Sequence, residues 1–132
     1  MKENLEADKK DPETEVRELY DYFNRPDRDQ YEHWWFEHDE DEYLGLLVNG
    51  ERAWLMYAYV KDDDFPDLFF STRNPDYDRP ETTMLEFIID NGQKDCYPLS
   101  LIISLADALR ACEFFIRNGG MAPWLTWHND EP

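Results

Sequence analysis

Basic residues are scarce in this 132-residue chain: 13 Lys and Arg stand against 31 Asp and Glu, for a net charge of −18. A body so negative repels phosphate backbones and anionic membranes, which removes direct nucleic-acid binding and membrane-surface binding from consideration. Cysteine is scarcer still. Cys96 and Cys112 are the whole complement, and no Cys-x-x-Cys pair is present to hold zinc or cycle a disulfide. Both fall in apolar patterns and read as reduced core residues. No run of about 18 apolar residues occurs, and the opening Met1-Lys2-Glu3-Asn4-Leu5-Glu6 lacks the apolar stretch of a signal peptide. The expected location is the cytoplasm.

Catalytic signatures are absent too. There is no Gly-x-Gly-x-x-Gly, Walker loop, Gly-x-Ser-x-Gly or His-Glu-x-x-His, so nucleotide chemistry and the common hydrolases have no anchor. His33, His38 and Asp39 do not match the spacing of a standard metal site. Asp62, Asp63, Asp64 and Asp67 lack the alternating register that lets one loop wrap calcium. No metal and no cofactor is expected.

What the chain does have is apolar and aromatic mass: 42% of residues are hydrophobic and 16% aromatic. That is enough for one self-sufficient domain at this length. Residues 1–12 are almost wholly polar and read as a flexible acidic leader, 13–127 as the single domain, and 128–132 as a tail. Val16, Leu19, Tyr20 and Phe23 recur at helical spacing, ahead of a block at Pro26. Strand-like runs follow at Tyr31–Phe36, Tyr43–Val48, Arg52–Val60, Leu68–Ser71, Thr82–Ile89 and Cys96–Ile103. Asn49-Gly50 supplies a type I′ turn between the second and third runs, and Asn91-Gly92 a turn between the last two. Pro98 marks an edge or a bulge. Alternation in the third run, Trp54, Met56 and Ala58 against Leu55, Tyr57 and Tyr59, makes both faces apolar and the strand central. Ser104, with Asp107 three residues on, caps a second helix whose stripe is Leu105, Leu109, Cys112 and Ile116 and which ends at Asn118-Gly119-Gly120. The closing Trp124-Leu125-Thr126-Trp127 is too apolar to float and should fold back over an end of the core. The expected class is α+β: an antiparallel sheet of about six strands with an N-terminal and a C-terminal helix packed against it.

The acidic excess gathers in two loops, Glu37 to Glu42 and Asp62 to Asp67. Charge alone serves solubility, but a concentrated field also steers a basic protein partner inward. Trp34 and Trp35 are adjacent, so a strand sends them to opposite faces and leaves one at the surface beside an acidic run. The candidate contact residues are therefore Trp34, Glu37, Asp39, Glu40, Asp41, Glu42, Asp62, Asp63, Asp64 and Asp67.

Three segments taken in order carry a family resemblance. They are the hairpin Leu44-Gly45-Leu46-Leu47-Val48-Asn49-Gly50 into Ala53-Trp54-Leu55-Met56-Tyr57, the capped helix Ser104 to Phe115, and the ending Pro123-Trp124-Leu125-Thr126-Trp127. Over roughly residues 13 to 127 the chain resembles the Imm1 family of bacterial immunity proteins, small α+β proteins encoded beside polymorphic toxins. The resemblance implies a non-catalytic inhibitor that binds the toxin domain of its own system, often a nucleic-acid deaminase, and occludes its active site as a 1:1 heterodimer. It transfers no contact residues. The alternatives are a small hydrolase using a carboxylate pair, which requires a deep pocket with inward-facing acids, and a generic acidic nucleic-acid mimic that accepts many basic partners.

Overall fold

Asp11 accepts a hydrogen bond from the Thr14 amide at 2.8 Å, and Pro12 sits at the first helical position. Helix α1 (Pro12–Phe23) thus starts where a carboxylate cap and a preset φ favour it. Its stripe Val16, Leu19 and Phe23 is buried. The computed structural model describes residues 11–60, 68–77, 83–89 and 91–130. The acidic run Asp62, Asp63, Asp64 and Asp67 lies outside the described residues, as does most of the leader.

Three long strands form the body of a sheet: β1 (Tyr31–His38), β2 (Glu42–Asn49) and β3 (Arg52–Tyr59). The β2–β3 turn differs from the expected one by a residue. Asn49 pairs with Arg52, so the two loop residues are Gly50 and Glu51, and the positive φ of 62° falls on Gly50 alone. Glycine at the first corner is the pattern of a type II′ turn, and the hairpin forms because glycine meets that demand without a steric cost. β3 is central as expected, flanked by β2 on one side and by β4 (Leu68–Arg73) on the other.

The final run of strand-like sequence divides at Pro98. β5 (Met84–Ile88) and β6 (Lys94–Pro98) make a separate two-stranded hairpin closed by Gly92 at φ 86°. A 3-10 turn over Leu99–Leu101 then leads to β7 (Ile103–Ser104), a short strand that pairs with β3 at Ala53. Proline cannot donate to a ladder, so the chain changes sheet there. The remaining strand of the main sheet comes from the closing segment instead: β8 (Thr126–Asn129) pairs antiparallel with β4. The order is β1-β2-β3-β4-β8, with β7 beside β3, an antiparallel sheet of six strands among the described residues.

Helix α2 (Leu105–Asn118) is capped by the Ser104 hydroxyl, which accepts from the Asp107 amide at 3.1 Å, and ends at Gly119 with φ 73°. Both helices cover one face of the sheet, burying Phe36, Leu44, Leu46, Val48, Leu55, Tyr57, Phe115 and Cys112 between them. Each such side chain contributes about 1.5–3 kcal/mol relative to exposure. Burial pushes the Cys112 thiol pKa far up, so it stays a neutral core group. Cys96 departs from expectation and is exposed. In a two-residue alternation only one side of β6 can meet the sheet, and Tyr97 takes that side, its ring tilted against Trp54 with centroids 4.2 Å apart. The β5–β6 hairpin covers part of the second face through Leu47, Trp54, Phe87 and Ile102. Among the described residues no helix is long and apolar enough to cross a membrane.

Candidate functional site

The acidic loop between β1 and β2 is short. His38 pairs with Glu42, leaving Asp39, Glu40 and Asp41 as the connection, with φ of 52° at Asp39 and 68° at Glu40. Two consecutive non-glycine residues in the left-handed region need outside support. The support comes from the residues at the loop's base. Glu42 turns its carboxylate to the helix face, where Oε2 accepts from the Tyr57 hydroxyl at 2.5 Å and from the Gly120 amide at 2.9 Å. His38 packs its ring edge-on against Phe115, with centroids 5.9 Å apart. The Asp41 carbonyl accepts from the Val60 amide at 2.8 Å, and the Glu40 carbonyl from the Tyr43 hydroxyl at 3.1 Å. Desolvation, then the hydrogen bond to Glu42, keeps the Tyr57 hydroxyl protonated well above its ordinary range.

Gly119 is tied to this arrangement. A Cβ there would lie 2.7 Å from Glu42 Oε1 and 2.7 Å from His38 Nδ1. The glycine that ends α2 therefore also makes room for the base of the loop. Replacing Glu42 with Ala should cost about 1.5–3 kcal/mol of stability, since it strands a buried hydroxyl and a helix-terminal amide. Tyr57→Phe should cost less, and urea unfolding of the double variant should show a coupling of about 1 kcal/mol or more. Strict additivity would mean that the two groups do not act together.

With its base pinned, the loop presents Glu37, Asp39, Glu40 and Asp41 outward, all exposed. No Lys or Arg occurs between Arg28 and Arg52 to neutralise them. β3 ends and β4 begins at the same end of the sheet, with Tyr59 opposite Leu68. Of the contact residues expected from sequence, Glu37, Asp39, Glu40 and Asp41 come together at this end. Glu42 is turned inward and Asp62 to Asp67 lie outside the described residues. Trp34 faces the helices: its ring meets Tyr22 and Phe23 at 5.1 and 5.4 Å, and its Nε1 donates to Glu32 at 3.3 Å. Glu32 is itself buried and accepts from the Tyr22 hydroxyl, whose pKa is pushed up to about 12 by burial and then by that bond. Trp35 takes the opposite face, lies across Gly45 and belongs to neither hydrophobic cluster.

A polar group at the far strand was not legible in the sequence. Asp130 accepts from Ser71 and from Arg73 (3.1 Å), and its Oδ1 lies 2.9 Å from His128 Nδ1. Burial works to raise the Asp130 pKa, but the Ser71 and His128 hydrogen bonds and the Arg73 charge outweigh it and the net shift is downward. Aspartate stands between serine and histidine here, so no imidazole base addresses the hydroxyl. The group holds β8 to β4.

Among the described residues, surface clefts lie away from the acidic loop. One, of about 410 Å³, is lined by Arg52, Arg73, Ser104, Asp107 and Trp124 among others, and the Ser104 hydroxyl in it is committed to capping α2. Another, of about 510 Å³, lies between the end of α1 and Gly50. Neither contains a histidine or a cysteine.

A family model described as Immunity protein Imm1 matches residues 4–129, nearly the whole chain. The chain belongs to the Imm1 immunity protein family. No curated protein sequence matches it. Membership makes it an immunity protein, whose partner is a toxin, and the match runs through β8 to its last residue.

Proposed function

We propose that this Imm1 protein is a non-catalytic inhibitor that neutralises a nucleic-acid-directed toxin domain, such as a nucleic-acid deaminase. It does so by seating its acidic end over the toxin's basic substrate groove and occluding the active site in a 1:1 complex. The observation that carries this reading is the acidic end of the β1–β2 hairpin: four outward carboxylates, Glu37 on β1 and three on a connection pinned by Glu42, Tyr57, Gly120 and Phe115, in a stretch without a single Lys or Arg. A toxin that handles DNA or RNA needs a basic surface for the phosphates, and a fixed acidic loop competes for it. Glu37, Asp39, Glu40 and Asp41 make the contact, joined by Asp62, Asp63, Asp64 and Asp67 from the next connection. Glu42 and Trp34 act from behind, holding the loop and β1 in place.

The test is co-expression with the toxin domain encoded beside the chain's gene. Growth should be restored, the two proteins should co-purify at equal stoichiometry, and the purified inhibitor should abolish the toxin's activity on nucleic acid. Co-purification with full residual activity would sink the occlusion mechanism.

A further inference from the structure

One edge of the main sheet is β1, eight residues long, and the other is β8, with four. The direction of the β1 backbone groups follows from the ladder. The Gly50 amide donates to the Gln30 carbonyl at 2.9 Å, which makes 30 and 50 a hydrogen-bonded pair. Continuing the register, Glu32, Trp34, Phe36 and His38 bond to Val48, Leu46, Leu44 and Glu42. The alternate residues, Trp35 and Glu37 among them, therefore direct their N–H and C=O groups away from β2. No strand or loop among the described residues bonds to the backbone of Trp35 or Glu37.

Natural sheets blunt such an edge with proline, lysine, a bulge or a covering element. β1 contains no proline and no lysine, and its pairing with β2 runs through all eight residues without a bulge. The same alternate residues carry their side chains on the face away from the helices. There the Trp35 ring lies over Gly45, so close that a Cβ on Gly45 would meet it at 2.9 Å, and it belongs to neither hydrophobic cluster. Glu37 follows two residues on, and the exposed carboxylates of the loop continue the line.

We propose that the β1 edge at Trp35 and Glu37 is a docking strand for an extended, Lys- or Arg-bearing segment of the toxin, which adds to the sheet as a further strand. This deepens the function proposed above and rests on it. Main-chain hydrogen bonds to Trp35 and Glu37 set the register. A cationic side chain beside them stacks on the Trp35 indole and pairs with Glu37. Charge selects this occupant over a second copy of the chain, because two bodies of −18 repel each other along the same edge.

Residue-resolved amide exchange distinguishes these outcomes. In the free protein the Trp35 and Glu37 amides should exchange quickly while those of Trp34 and Phe36 are protected. In the complex with the toxin domain encoded beside it, Trp35 and Glu37 should gain at least about tenfold protection. A tight complex in which they stay fast overturns the proposal. Protection that grows with protein concentration in the absence of toxin overturns it in favour of self-association. Glu37→Pro and Glu37→Ala supply a second readout: both lose the charge, but only proline removes the outward N–H, and an edge position tolerates it. The Pro variant should bind about tenfold or more weakly than the Ala variant, and equal affinities would refute edge pairing. If the wild-type chain forms no complex at all, the immunity reading fails and the edge proposal falls with it.

Discussion

Neutralising the β1–β2 loop with Glu37→Gln, Asp39→Asn, Glu40→Gln and Asp41→Asn should slow association with the toxin domain by about 10- to 100-fold at low salt. The dissociation rate should change much less. The four side chains are exposed, and the amide replacements keep their shape, with Asn suited to the positive φ at Asp39. The anchoring contacts through Glu42 and Phe115 are untouched, so the loop keeps its place. Stopped-flow association across a salt series is the measurement. Screening shortens the reach of charge from about 10 Å at 0.1 M salt to about 3 Å at 1 M, so the two proteins should converge in rate at high salt. Equal rates at low salt would show that the loop does not steer the encounter.

Phe115→Ala should lower the unfolding free energy by about 3–5 kcal/mol, a large share of what a domain this size has available. Phe115 is fully buried on α2, in the core between the helix and the main sheet. Its ring packs edge-on against His38 at the loop base and against Tyr57, whose hydroxyl holds Glu42. The cavity left by truncation would open beneath the acidic loop, so the variant should also bind toxin more weakly at temperatures where it remains folded. Urea unfolding gives the stability, with Glu51→Ala as a comparison, because the Glu51 side chain is 86% exposed and its loss should cost under about 1 kcal/mol. A Phe115→Ala loss as small as that would mean the helix repacks freely.

The two helices were legible because each is specified locally. Ser104 marks one start, the apolar stripes run at helical spacing, and Gly119 marks a stop, whereas the Asp11 cap and Pro12 fall inside the segment read as leader and show themselves only in the fold. The β1–β2–β3 meander was legible for a similar reason, since short connections leave adjacent strands little choice but to pair. The Cys96–Ile103 run misled because apolar composition does not say which sheet a strand joins, and Pro98 broke it into pieces that serve two. Trp34 and Trp35 show the same limit on a smaller scale. Alternation required them to face opposite ways, but which one the helices cover depends on where α1 lands.

The acidic surplus, the absence of catalytic motifs, the presence of the two helices and the central apolar strand follow from the sequence by itself, because charge, capping and periodicity act over a few residues. The tertiary structure decided which carboxylates are free to meet a partner. Glu42 and Glu32 read like any other acids in the chain, yet folding turns them inward onto Tyr57 and Tyr22. Burying a carboxylate is tolerable only beside a donor, and those donors sit 15 and 10 residues away. The free edge at Trp35 and Glu37 has the same origin: strand order leaves β1 with one neighbour, and no local pattern of residues records that.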